Sequence, residues 1–245
     1  MRHVPEGSMR PCSDNHLLAG LSGDELRRLE PQLVQVVLQQ DLVLCGDGRP
    51  VTHVHFPTSA LVSVLCSTST GDSMDVAVIG AEGVVGLTFS ASGDWVPGRV
   101  VVQSSGEAWR LPVTALRQEF ELGGSLQQMV LRYQQLLMAQ MAQAALCSRL
   151  HHVDQQLCRW ILASLDRSGG ERLETTQQQV ARTLGVRREA VSAAAGRLEE
   201  QGVLHWGRGR LHVLDRDALQ AHSCECYQAL RCQAQGLFPF MRRAA

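Results

Sequence analysis

Residues 174–215 read ETTQQQVARTLGVRREAVSAAAGRLEEQGVLHWGRGRLHVLD, and this stretch decides the fold. Thr176 followed three residues later by Gln179 is a capping box, so a helix is expected to begin there. Val180, Ala181 and Leu184 supply its apolar face. Gly185 stands where the chain must reverse over a left-handed residue, which glycine adopts without steric cost. A second helix is expected from about Arg187 to Gln201, with Val191, Ala194, Ala195 and Leu198 inward at helical spacing. The small–Gly–aliphatic series Ala181, Gly185, Val191 lets two helices cross closely over a short turn. The exposed start of the second helix carries Arg187, Arg188 and Glu189. An arginine pairs bidentately with guanine, and a carboxylate accepts from cytosine N4. Gly202 can end the helix. Val203–Trp206 and Leu211–Leu214 then read as two short strands around Gly207-Arg208-Gly209-Arg210, a tight turn carrying two arginines suited to gripping phosphates. The stretch reads as a winged helix-turn-helix, a DNA-binding module.

The charge distribution agrees. The formal net charge is −1, and all 23 basic side chains are arginine. Residues 1–154 carry 10 Arg against 15 acidic residues, and residues 155–245 carry 13 Arg against 9. The half with the helix-turn-helix is the positive half, as a DNA footprint requires. An apolar content of 44% is enough for folded cores. The absence of a long apolar run or a signal-peptide pattern leads to the expectation of a cytoplasmic protein that does not engage a membrane, with its eight cysteines mostly reduced.

Upstream, the first dozen residues read as unstructured. A short helix is expected over Gly23–Leu29, capped by Ser22. From about Val34 to Leu111, short apolar runs (VQVVL, LVLC, HVHF, ALVSVLC, MDVAVIG, VVGLTF, RVVVQ, EAWRL) alternate with turn signals every 8 to 12 residues. That pattern belongs to an antiparallel sandwich or barrel. From Leu126 to about Leu150 follows one long helix. Its apolar residues Leu126, Val130, Tyr133, Leu137, Met141 and Ala144 fall three or four apart, and a second copy of the same helix is the expected cover. His151–Asp154 forms a hinge, and DQQLCRWILASLDR reads as a helix leading into the helix-turn-helix. The class is α+β. The expected division is a β-roll (jelly-roll) sensor over 14–124, a dimerisation helix and hinge over 125–152, and a winged helix-turn-helix over 153–232.

A β-roll, a long helix and a winged helix in that order resemble the Crp/Fnr family of transcription regulators, from about Leu17 to Tyr227. The strongest local match is LGVRREAVSAAAGRLEEQGVL with RGRLHVLDRDAL after it. The resemblance implies a homodimer that binds double-stranded DNA at a two-fold-symmetric site, with RNA polymerase as a partner. It places Arg188 and Glu189 at the leading base-reading positions, and Thr176 and Gln178 near the DNA backbone. The expected DNA-contacting set is Thr176, Gln178, Arg187, Arg188, Glu189, Ser192, Arg208 and Arg210. Ala193 departs from the arginine common at the next base-reading position, which bears on the half-site sequence. Family members that bind cyclic nucleotides carry a Gly-Glu pair and an Arg-Ser or Arg-Thr pair. Here Val85-Gly86-Leu87 and Pro97-Gly98-Arg99-Val100 lack the glutamate and the hydroxyl, and a cyclic phosphate is disfavoured. An iron–sulfur cluster is disfavoured too, because Cys12 is the sole cysteine near the start; Cys45 and Cys66 read as core residues in strands. No cofactor or metal is expected, and the effector is left open. The alternative is a thiol- or metal-responsive sensor or enzyme using His222, Cys224, Cys226 and Cys232. Against an enzyme stands the lack of a Ser/His/Asp set, paired carboxylates, a P-loop or a dinucleotide fingerprint.

Overall fold

The structure, a computed structural model, describes residues 14–46, 50–69, 73–87, 98–168 and 170–237. The N-terminal segment with Cys12, and Pro97, lie outside the described residues.

The described residues open with two short helices, α1 (His16–Ala19) and α2 (Gly23–Leu29). The second starts where the sequence places it. Ser22 accepts from the Glu25 amide, and the Glu25 carboxylate returns the bond to the Ser22 amide. Among the described residues seven strands follow: β1 (Val34–Leu38), β2 (Val43–Cys45), β3 (His53–Pro57), β4 (Leu61–Ser67), β5 (Ser73–Ile79), β6 (Arg99–Ser104) and β7 (Gly106–Pro112). They form two antiparallel sheets in the orders β1-β7-β3 and β2-β6-β4-β5. The run VVGLTF forms no strand among the described residues; Val85 makes one bridge to His55. Val54, Phe56, Val62, Val102, Ala108 and Leu111 meet between the sheets and are almost fully buried. Cys45 joins that core, but Cys66 is exposed, contrary to its expected burial.

Helix α3 (Val113–Glu121), not anticipated from the sequence, leads through Gly123-Gly124, both at positive φ, into α4 (Ser125–Leu150). The first half of α4 lies on the roll. Leu126, Val130 and Tyr133, expected at a dimer seam, are buried in the chain's own core beside Met129 and Leu136. Tyr133 lies so close over Gly83 that a side chain there would collide with its ring. Leu137 and Met141 pack partly against the same core, and Ala144 is half-buried. The expectation of a seam is therefore corrected for Leu126, Val130 and Tyr133. The roll and the C-terminal helix α9 (Cys226–Leu237) cover that face within one chain. What α4 leaves to solvent is the neighbouring stripe Leu131, Met138, Ala142, Ala145 and Leu146, with Leu131 52% and Met138 70% exposed.

Helix α4 ends at Leu150, and His151 takes an extended conformation. Then come α5 (Val153–Ser168), β8 (Arg172–Glu174), α6 (Gln177–Leu184), α7 (Arg188–Glu200), β9 (Leu204–Gly207), β10 (Arg210–Val213) and α8 (Arg216–His222). These share a second core around Leu157, Ile161, Leu162, Val180, Val191, Ala194, Ala195 and Leu211. Among the described residues no helix is long and apolar enough to cross a membrane.

Candidate nucleic-acid interface

Thr176 caps α6, with reciprocal bonds to Gln179. Gly185 closes it at φ 66°, and the Val186 amide returns to Ala181 O at 3.0 Å. A side chain with a Cβ is strained at that φ, so glycine fixes the sharp reversal into α7. Val191, Ala194, Ala195 and Leu198 turn inward onto Val180, Ala181 and Leu184. That packing sets which face of α7 is free. Arg187, Arg188 and Glu189 at its start are exposed, as is Ala193. Ser192 is half-buried, and its hydroxyl donates to Gln177 Oε1 at 2.5 Å, which braces α6 against α7.

The wing is a three-stranded sheet in the order β8-β10-β9. Strand β8 escaped the sequence reading because three residues carry too little pattern. The turn between β9 and β10 consists of Arg208 and Gly209, at φ 51° and 77°. Two successive positive φ values make the hairpin turn whose twist matches the strands. The Thr175 amide donates to Gly209 O at 2.9 Å, which holds the tip beside Thr176 at the start of α6. The Trp206 amide donates to Glu199 Oε1 at 2.7 Å, and its indole to Thr175 O at 3.1 Å, so the wing is fixed to both helices. Exposed Arg208, the N-terminal turn of α6 and the start of α7 thus lie on one module, and helix N-termini favour phosphate. Arg210 differs from Arg208: it faces Glu174 across the sheet at 3.8 Å, both side chains largely exposed.

The module docks on the roll. Thr183 in α6 and Ser63 in β4 both donate to Asp75 Oδ2 in β5, each at 2.8 Å. Burial pushes the Asp75 carboxyl above its usual range, and these two bonds oppose the shift. Arg167 in α5 bonds Glu82 at 2.8 Å.

Residues 155–222 match the family model of the Crp-like helix-turn-helix domain. This segment is a Crp-like helix-turn-helix domain. The described part of the chain has the fold of solved Crp/Fnr regulators. A solved structure described as a Crp/Fnr-family transcriptional regulator from Eubacterium rectale is similar at a TM-score of 0.65 and 12% identity, covering 86% of this chain and 98% of that one. FixK2 from Bradyrhizobium japonicum is similar at 0.67 and 16%, covering 78% and 98%. The c-di-GMP-responsive global regulator CLP of Xanthomonas campestris is similar at 0.63 and 16%, covering 78% and 99%. No curated protein is significantly similar in sequence.

Beside the Crp-like domain, the structure assembles a cluster the sequence reading did not. Cys224 and Cys226 meet Cys147 and His151 from the end of α4. His222 and Cys232, grouped with them in the sequence alternative, are both exposed and stand outside the cluster. The missed signal was the i, i+4 spacing of Cys147 and His151, which puts both on one side of the helix end. A cavity of about 720 Å³ opens where α5, α8 and α9 face the Ala81-Glu82 turn, lined among others by Arg159, Arg167, Arg216 and Arg231.

Proposed function

We propose that the chain is a homodimeric, sequence-specific DNA-binding transcription regulator. The observation that carries this reading is the exposed start of α7, with Arg188 and Glu189, on the same rigid module as Arg208 at the wing tip. In the proposed roles Arg188 and Glu189 read base edges, with Arg187 alongside. Thr176, Gln178, Arg208 and, more weakly because of Glu174, Arg210 hold phosphates. Ser192 acts through Gln177 rather than on DNA. The proposed seam is the exposed stripe of α4, where Leu131, Met138, Ala142, Ala145 and Leu146 lie on one face of the helix. The proposed units are the roll over 14–124, the long helix and hinge over 125–152, and the DNA-binding unit over 153–232.

Cyclic nucleotides are not the proposed effector. Leu87 packs its apolar side chain partly against the core, and Val100, after Arg99, is buried inside the sheet. Neither supplies the polar partner a ribose or a cyclic phosphate needs. Selection from a random DNA pool tests the function. The expected product is a two-fold-symmetric site with half-sites about one helical turn apart. An unenriched pool overturns the reading.

A further inference from the structure

The end of α4 and the start of α9 bring three thiols and one imidazole to a point. Cys147 Sγ lies 3.7 Å from Cys224 Sγ, and Cys226 Sγ lies 3.5 Å from His151 Nδ1. All four donor atoms fall within 4.8 Å of one another. A tetrahedral zinc ion holds sulfur at about 2.3 Å and nitrogen at about 2.0–2.1 Å. Those lengths place two sulfurs about 3.8 Å apart, and a sulfur and a nitrogen about 3.5–3.6 Å apart. The two close separations match these edges.

Packing as small apolar residues does not account for the cluster. The three thiols are buried, yet among the described residues no aliphatic side chain joins their cluster, and an imidazole nitrogen is aimed at it. The surroundings suit ligands. His151 Nε2 lies 3.2 Å from Glu225 Oε1, which fixes the ring and leaves Nδ1 to face the sulfurs. Gln143 donates to Cys226 Sγ at 2.9 Å. Cys226 opens the twelve-residue helix α9.

We propose that Cys147, His151, Cys224 and Cys226 bind one zinc-class divalent ion in a tetrahedral Cys3His site, and that the ion sets the DNA affinity of the Crp-like domain. The second half rests on the DNA-binding reading above. Cys147 belongs to α4, and His151 is the joint before α5. Cys224 and Cys226 follow α8, which packs on α5. An ion held by all four locks the joint between the long helix and the DNA-binding module. Loading the site releases the thiol protons to solvent.

The test uses the full chain, reduced and metal-free, titrated anaerobically with cobalt(II). The expected result is the intense visible spectrum of tetrahedral cobalt with thiolate charge-transfer bands, saturating at one ion per chain and displaced by zinc. Cys226→Ser and His151→Ala should each weaken cobalt binding by more than about ten-fold, since even the loss of an outer-shell partner costs 10- to 100-fold. Cys232→Ser should leave it unchanged. A weak octahedral spectrum of the unaltered chain, or unchanged affinity in Cys226→Ser, overturns the site. So does a Cys147–Cys224 disulfide whose reduction restores no cobalt binding. Zinc should then change the DNA affinity of the unaltered chain several-fold, and not that of Cys226→Ser. Equal affinity with and without zinc overturns the coupling. A tetrahedral cobalt spectrum from a chain that binds no DNA in either state overturns the DNA-binding reading and leaves the metal site standing.

Discussion

Glu25 holds the first turns of two helices, and its removal should be costly in a pH-dependent way. Its carboxylate accepts from the Ser22 amide at 2.9 Å, the Ser22 hydroxyl at 2.7 Å, the Leu126 amide at 2.9 Å and the Ser125 hydroxyl. Burial alone would raise its pKa; the donors from Leu126, Ser125 and Ser22 outweigh burial and hold it at about 2 instead of 4.5. A carboxylate depressed this far contributes about 3 kcal/mol at neutral pH, at about 1.36 kcal/mol per pH unit. Because the folded value is the lower one, the contribution is full above 4.5 and is lost as pH falls from there towards 2. Glu25→Gln keeps the shape and one acceptor but removes the charge. Urea unfolding followed by tryptophan fluorescence should show Glu25→Gln less stable by about 3 kcal/mol at pH 7, and by less than half of that at pH 3. A gap below about 1 kcal/mol at neutral pH, or one that does not change with pH, refutes the reasoning.

Arg188→Ala should cost roughly 1–3 kcal/mol on a matched site and relax specificity at one position of each half-site. Arg208→Ala should weaken all sequences alike and make the salt slope shallower by about one per subunit. Anisotropy titrations on matched and mismatched duplexes separate the two, and the opposite pattern exchanges their roles. Met138→Glu should give folded monomers in sedimentation, because Met138 is exposed in the single chain; a persistent dimer puts the seam elsewhere. For Asp75 the docked value lies above the ordinary one, so docking of α6 on β5 weakens as pH rises through that raised value. Asp75→Asn, which still accepts from Ser63 and Thr183, should slow amide exchange in β5 and α6 at neutral pH; faster exchange contradicts the assignment.

The helix-turn-helix was legible because its determinants are local. The Thr176–Gln179 box, Gly185 and the Arg208-Gly209 turn each act within a few residues. The strands were legible from their turn punctuation, save VVGLTF, where Gly86 at φ 87° leaves Val85 a single bridge. Helix α4 was placed correctly, but its covered face was not. Apolar residues lie on two of its faces, Leu126, Val130 and Tyr133 on one, Leu131, Met138 and Leu146 on the other, and periodicity alone does not choose between them. The choice belongs to the roll and to α9, which are distant in sequence. The Cys/His cluster was missed for the same reason. Cys147 and Cys224 are 77 residues apart, while His222 and Cys232 were grouped with Cys224 by mere adjacency.

A dimer that reads a particular DNA sequence through α7 must tell that sequence from others of the same length. The most direct measurement is equilibrium binding of the full chain to the selected duplex and to a scrambled duplex of equal length, across several salt concentrations. The expected result is two chains per duplex, a steep loss of affinity with salt on both, and a preference of at least about 10³-fold for the selected sequence at physiological salt. Equal affinity for the two duplexes, or binding by one chain alone, contradicts it.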